Sequence, residues 1–126
     1  MSNVQPTARR TRLTLARATA GGTLRAVSET ILVRVYEPDG EMGEQQLPVT
    51  SGALLARARV LIGGDLDLGS ARHRQLEFVV GEWSMRDDPY NEAASLVLGR
   101  QAHGRVLIWG LDSGGGAVNF PVDVFG

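Results

Sequence analysis

The chain has neither cysteine nor lysine among its 126 residues. Without cysteine there are no disulfides, no thiolate catalysis, no cysteine-ligated zinc and no iron–sulfur cluster. Without lysine there is no Schiff-base chemistry, no lysine general base and no P-loop lysine. All 13 basic residues are therefore arginine, the pattern a GC-rich coding sequence produces. Apolar runs are short, and none approaches the roughly 20 residues a membrane-spanning helix needs. Residues 1–28 contain no aromatic residue, so that segment offers no base-stacking platform.

What is present is ordinary globular material, 43% hydrophobic and 21% charged, enough for one domain with a core of its own. Its charge is unevenly placed. Residues 1–28 hold five arginines (Arg9, Arg10, Arg12, Arg17, Arg25) and no acid, a balance of +5. Residues 29–126 hold eight arginines against fourteen carboxylates, a balance of −6, and together these give the net −1 of the chain. This divides the molecule into a basic N-terminal arm, 1–28, and a β domain, 29–126. Residues 1–10 read as a flexible arm. No apolar stretch follows Arg9-Arg10, so nothing resembles a secretion signal. The near alternation of Arg12 to Arg17 and the Gly21-Gly22 turn suggest that the arm adds a strand pair.

Along the body, Thr30–Tyr36 predicts a strand with Ile31, Val33 and Val35 on one face and Leu32, Arg34 and Tyr36 on the other. Pro38-Asp39-Gly40 predicts a turn. Residues 41–49 are polar and carry Pro48, which limits them to an edge strand or loop. In 51–62, Leu54, Leu55, Ala58, Leu61 and Ile62 fall at helical spacing, with Ser51 as a cap and Gly63-Gly64 as a stop. A strand with Ala56, Ala58, Val60 and Ile62 on one face is the alternative. Residues 65–69 read as a turn or short extended piece. Gln75–Gly81 predicts a strand with Leu76, Phe78 and Val80 together, extended past a bend at Gly81 by Trp83 and Met85.

Ala94–Leu98 and Arg105–Leu111 read as a hairpin around Gly104, with Leu98 near Ile108 and Val97 near Trp109. The alternation of Val118, Phe120, Val122 and Val124 predicts a final strand, at an edge because of Pro121. The fold class expected is mainly β: an antiparallel β-sandwich or small β-barrel with at most one short helix.

No catalytic or metal motif is complete. Asp65-x-Asp67-x-Gly69 lacks the glycine and glutamate of a calcium loop, since Ser70 and Leu76 stand at those positions. His73 and His103 have no ligand spacing, even with Asp112 added. Ser113 lacks the first glycine of a nucleophile elbow. Glu77 with Glu82, or Asp87 with Asp88, are carboxylate pairs of the kind any acidic surface offers. No catalytic residue, metal or cofactor is therefore expected.

Two signals remain. Arg9, Arg10, Arg12 and Arg17 can meet phosphates or an acidic protein surface. The apolar runs make several strands greasy on both faces, which calls for a cover, and Trp83, Trp109 and Val97 are the anchors expected at a subunit interface. These imply a non-enzymatic structural subunit of a homo-oligomer or larger assembly, such as a phage coat, decoration or connector protein, located in a virion or the cytoplasm and not in a membrane. The alternatives are a nonspecific nucleic-acid-binding β-barrel, and a small-ligand-binding barrel lined by Trp83, Trp109, Tyr90 and His103.

Overall fold

The computed structural model describes residues 29–125. The chain separates into two units at Thr30, and the account below concerns the second. The basic arm and its expected strand pair lie outside the described residues.

Six strands form one sheet: β1 (Thr30–Tyr36), β2 (Met42–Pro48), β3 (Leu66–Ala71), β4 (Leu76–Gly81), β5 (Val106–Leu111) and β6 (Ala117–Val118). They lie in the order β2-β1-β5-β4-β3, with β6 also on β5. The ladders of β5 with β1, β4 and β6, and of β3 with β4, are antiparallel. The helices are α1 (Ser51–Ile62), α2 (Ser84–Asp87), α3 (Glu92–Leu98) and α4 (Val122–Phe125), and a 3-10 turn spans Arg72–Arg74. The mainly antiparallel β class is thus present, with α1 the helix the spacing predicts. Three further helical segments are short.

Strand alternation sends each greasy strand two ways, and each face has its own helix. On one face Ile31, Val33, Val35, Val79, Leu107 and Trp109 pack with Leu54 and Ala58 of α1. On the other, Tyr36, Leu76, Phe78, Val80, Val106 and Ile108 pack with Ala94 and Leu98 of α3, Ala102 and Phe120. The apolar surplus in the strands is therefore covered from within the chain.

That cover comes from the stretch expected to be a hairpin strand. Residues 92–98 are helical because the end signals outweigh the apolar run Leu96-Val97-Leu98. The Asn91 side chain accepts from Ala94 N at the N-cap, Glu92 sits in the first turn, and Gly99 at φ 72° closes the helix with its N–H on Ser95 O. Leu98 and Ile108 do share a core, but Ile108 pairs with Arg34 and Phe78, and Trp109 with Glu77. The one bridge near them, Tyr90 to His103, lies outside both limbs. At the other helix, Thr50 takes the N-cap position expected of Ser51, and Gly63 at φ 91° stops α1 as expected.

The end of the chain is also not the strand expected. β1 and β5 pair only over Arg34–Tyr36, then diverge, and residues 117–120 enter the fork. Val118 pairs with Gly110, Phe120 N–H donates to Leu32 O at 2.8 Å, and Asn119 Oδ1 accepts from Leu32 N at 2.7 Å. A Cβ on Gly110 would lie 2.5 Å from Asn119 O, so only glycine lets the backbones cross there. Pro121 then opens α4, with its carbonyl accepting from Val124 and Phe125. Val124 consequently faces solvent.

Candidate interaction surface

At one end of the sheet the chain makes two tight reversals side by side. Left-handed Gly63 and its neighbour Gly64 both bond back to Arg59 O, releasing the chain into β3. Opposite them β4 ends at Gly81, and Glu82 N–H donates to Asp65 O at 2.9 Å. Trp83 does not continue β4. Its carbonyl accepts from Arg86 and Asp87, so Trp83 and Met85 belong to the helical turn α2 rather than to a strand extension.

These reversals enclose an open groove of about 250 Å³, lined by Gly63, Gly64, Asp65, Glu82, Trp83, Asp88 and Arg105 among others. The Trp83 side chain is 58% exposed and carries the Arg86 guanidinium over its ring at 4.8 Å. Arg86 also pairs with Asp87 at 2.8 Å, which holds the Asp87 carboxyl below its usual range. Asp65 pairs with Arg59 at 2.6 Å, and Arg105 is held by Glu37 at 2.8 Å and by Leu61 O. Among the described residues Glu82 and Asp88 have no ionic partner. The groove therefore presents an indole face beside two uncompensated carboxylates, a surface suited to a guanidinium.

Of the four residues expected to line a ligand cavity, Trp83 lines this groove, and Tyr90 and His103 meet each other beside Asp88. The Tyr90 and His103 rings touch edge to face with centroids 5.6 Å apart. His103 Nδ1 lies 3.1 Å from Asp88 O, and its Nε2 lies 2.9 Å from Gln101 Nε2. A carbonyl only accepts, so Nδ1 carries the proton and Nε2 accepts from the Gln101 amide. Trp109 is elsewhere, almost wholly buried under α1 with Nε1 donating to Glu77 at 2.9 Å. Of the three expected interface anchors, Trp83 alone is well exposed. Val97 is half-buried against the α3-side core, and Trp109 is interior. Arg9, Arg10, Arg12 and Arg17 lie outside the described residues.

The other candidates are structural in their contacts. Asp112 accepts from Gly114 and Gly116 N–H and so holds the turn containing Ser113. His73 lines a separate groove of about 460 Å³ between the 3-10 turn, Leu111 and α4. Among the described residues no three of His, Asp and Glu gather closely enough to hold a metal, and no helix is long and apolar enough to cross a membrane.

One buried charge escaped the sequence reading. Arg34 is 4% exposed on β1, reaching Glu44 of β2 at 2.9 Å and lying 4.5 Å from the Phe120 ring centroid. Burial opposes its charge, but hydrogen bonds to Tyr36 and Glu44 outweigh that and hold it more firmly protonated than a free arginine. Nε has no partner among the described residues. The only sequence signal was its place on the Leu32-Arg34-Tyr36 face, which did not reveal that the end of the chain folds over it. Compared with known protein families, curated proteins and solved structures, the chain matches none.

Proposed function

We propose that this chain is a non-enzymatic structural subunit that assembles with copies of itself, arginines of one copy seating on the acidic body of its neighbour. Small coat, decoration or connector proteins of phage particles are the general type, found in a virion or in the cytoplasm of the host. Charge complementarity carries the reading: residues 1–28, with five arginines and no acid, stand against a body of net −6. In that body the Trp83 groove holds two carboxylates without an ionic partner among the described residues. Arg86 stacked on Trp83 already illustrates the contact an incoming guanidinium would make. The doubly apolar strands lend no support, because α1 and α3 cover them.

Sedimentation velocity at micromolar concentration tests the proposal. Oligomers that weaken as salt rises, and weaken again when Arg9, Arg10, Arg12 and Arg17 are all replaced by Gln, are the expected result. Monomer at every concentration and salt would discard it. The same four arginines favour a second reading, nonspecific binding to nucleic acid phosphates. Fluorescence anisotropy with a labelled duplex separates the two. Duplex binding at low salt that is lost in the Gln variant, with no self-association of the wild type, selects the second reading.

A further inference from the structure

We infer that the outer edge of β3 is a self-pairing edge, which joins two copies of this chain antiparallel about a two-fold axis through Leu68 and continues the sheet from one copy into the other. The inference rests on the reading of the chain as an assembling subunit and adds a second surface to the arginine contact proposed above.

Among the described residues β3 is the last strand on its side of the sheet, and none of them pairs with its outer edge. Its hydrogen-bonding phase follows from the ladder. Glu82 N–H donates to Asp65 O, and the register runs unbroken from Leu66 opposite Gly81 to Ala71 opposite Leu76. In an antiparallel ladder alternate residues point their N–H and C=O to the same neighbour. Residues 65, 67, 69 and 71 therefore bond inward to β4, and Leu66, Leu68 and Ser70 point theirs outward.

An isologous pair must match this pattern with itself. Centring the axis on Leu68 places Leu68 opposite its own copy, Leu66 opposite Ser70 and Ser70 opposite Leu66. Every outward group then has a partner. No like charges oppose each other, because Asp67, the one charged residue of β3, faces Gly69. The two Leu68 side chains meet on the α1 side of the sheet. Leu68 is 51% exposed there, so α1 does not roof this part of the strand.

Edges meant to stay single are usually blunted by proline, inward charges or cover. β3 has no proline. The opposite edge strand, β2, carries Glu44 and ends in Pro48, and its Gln46 is engaged in a further interaction.

The test is a charge exchange at the axis, read by sedimentation equilibrium on the full chain. Leu68→Lys and Leu68→Glu each set two like charges directly opposite and should each weaken self-association at least about tenfold, while their equimolar mixture recovers it. Ser70→Pro removes an outward donor on each side of the axis without touching a β3–β4 bond, and should weaken association independently. Near-UV circular dichroism confirms that each variant is folded, and either approach alone suffices should the other fail to fold.

Self-association of the wild type that survives all of these substitutions overturns the β3 edge and leaves the assembly reading standing. So does a mixture no tighter than its components. A wild type that never associates overturns both.

Discussion

Asn91 has no solvent-exposed surface, and every polar atom it carries is used. Its N–H donates to Ala102 O, its carbonyl accepts from Ser95 N–H and Oγ, and its Oδ1 accepts from Ala94 N–H. Nδ2 donates to Tyr36 O at 3.0 Å and Gly104 O at 2.7 Å. One side chain thus caps α3, ties it to the end of β1 and fixes the loop before β5. Asn91→Ala should cost about 2–4 kcal/mol in urea denaturation, a lost cap plus lost bonds to buried carbonyls. Asn91→Asp keeps the acceptor at the cap but replaces the two donations with a carboxylate facing two carbonyls. It should be at least as destabilising as alanine, and stability within about 1 kcal/mol of wild type would show that the cap alone matters.

At the scale of elements, β3 and β4 depend on an unusual packing. Gly69 lies opposite Phe78, and a Cβ on Gly69 would fall 2.5 Å from the Phe78 ring. The ring lies against the bare backbone of β3, with the Arg100 guanidinium 5.2 Å from its centroid. Gly69→Ala should destabilise the protein by about 1–3 kcal/mol through overpacking. Adding Phe78→Leu should make that substitution cheaper than it is with Phe78 present, a coupling that a double-mutant cycle measures.

The elements differ in how well the sequence reveals them. β1, β4 and the face assignments of their side chains were legible because period-two patterning over six or seven residues has one interpretation when turns flank it. α1 was legible from Leu54, Leu55, Ala58, Leu61 and the Gly63 stop. α3 was not, since Leu96-Val97-Leu98 is apolar at every position and so fits either period. The arbiters were Asn91 and Gly99, the two caps, and they were present in the sequence. At the end of the chain Pro121 fits a strand edge by its sequence, yet it opens a helical turn. Of the groove, the sequence singles out Trp83, and the structure leaves it exposed. Glu82 and Asp88 converge on it only because α1 and β4 end side by side, a tertiary fact that no local pattern carries.

For the whole molecule, the decisive side chain is Phe120. It is 1% exposed, touches the Tyr36 and Phe125 rings, and lies against the Arg34 guanidinium. Its backbone completes the hydrogen bonding of Leu32 where β1 leaves β5. Phe120→Ala should cost about 3–5 kcal/mol, the penalty of an aromatic deleted from a core. Because the void opens beside Arg34, the variant should also bind a hydrophobic dye such as ANS under conditions where the wild type does not. A thermal melt and a dye titration check the two outcomes.

The wedge of residues 117–120 between β1 and β5 also dictates a timetable. β5 joins the two outlying strand pairs, β1 with β2 and β3 with β4, and β1 is finished only by a segment later still. During synthesis the ribosome must deliver nearly the entire body before its centre can close. Until then the early hairpins wait with oily sides open to nascent-chain chaperones, and folding, dominated by such distant pairings, proceeds in roughly milliseconds to seconds rather than microseconds.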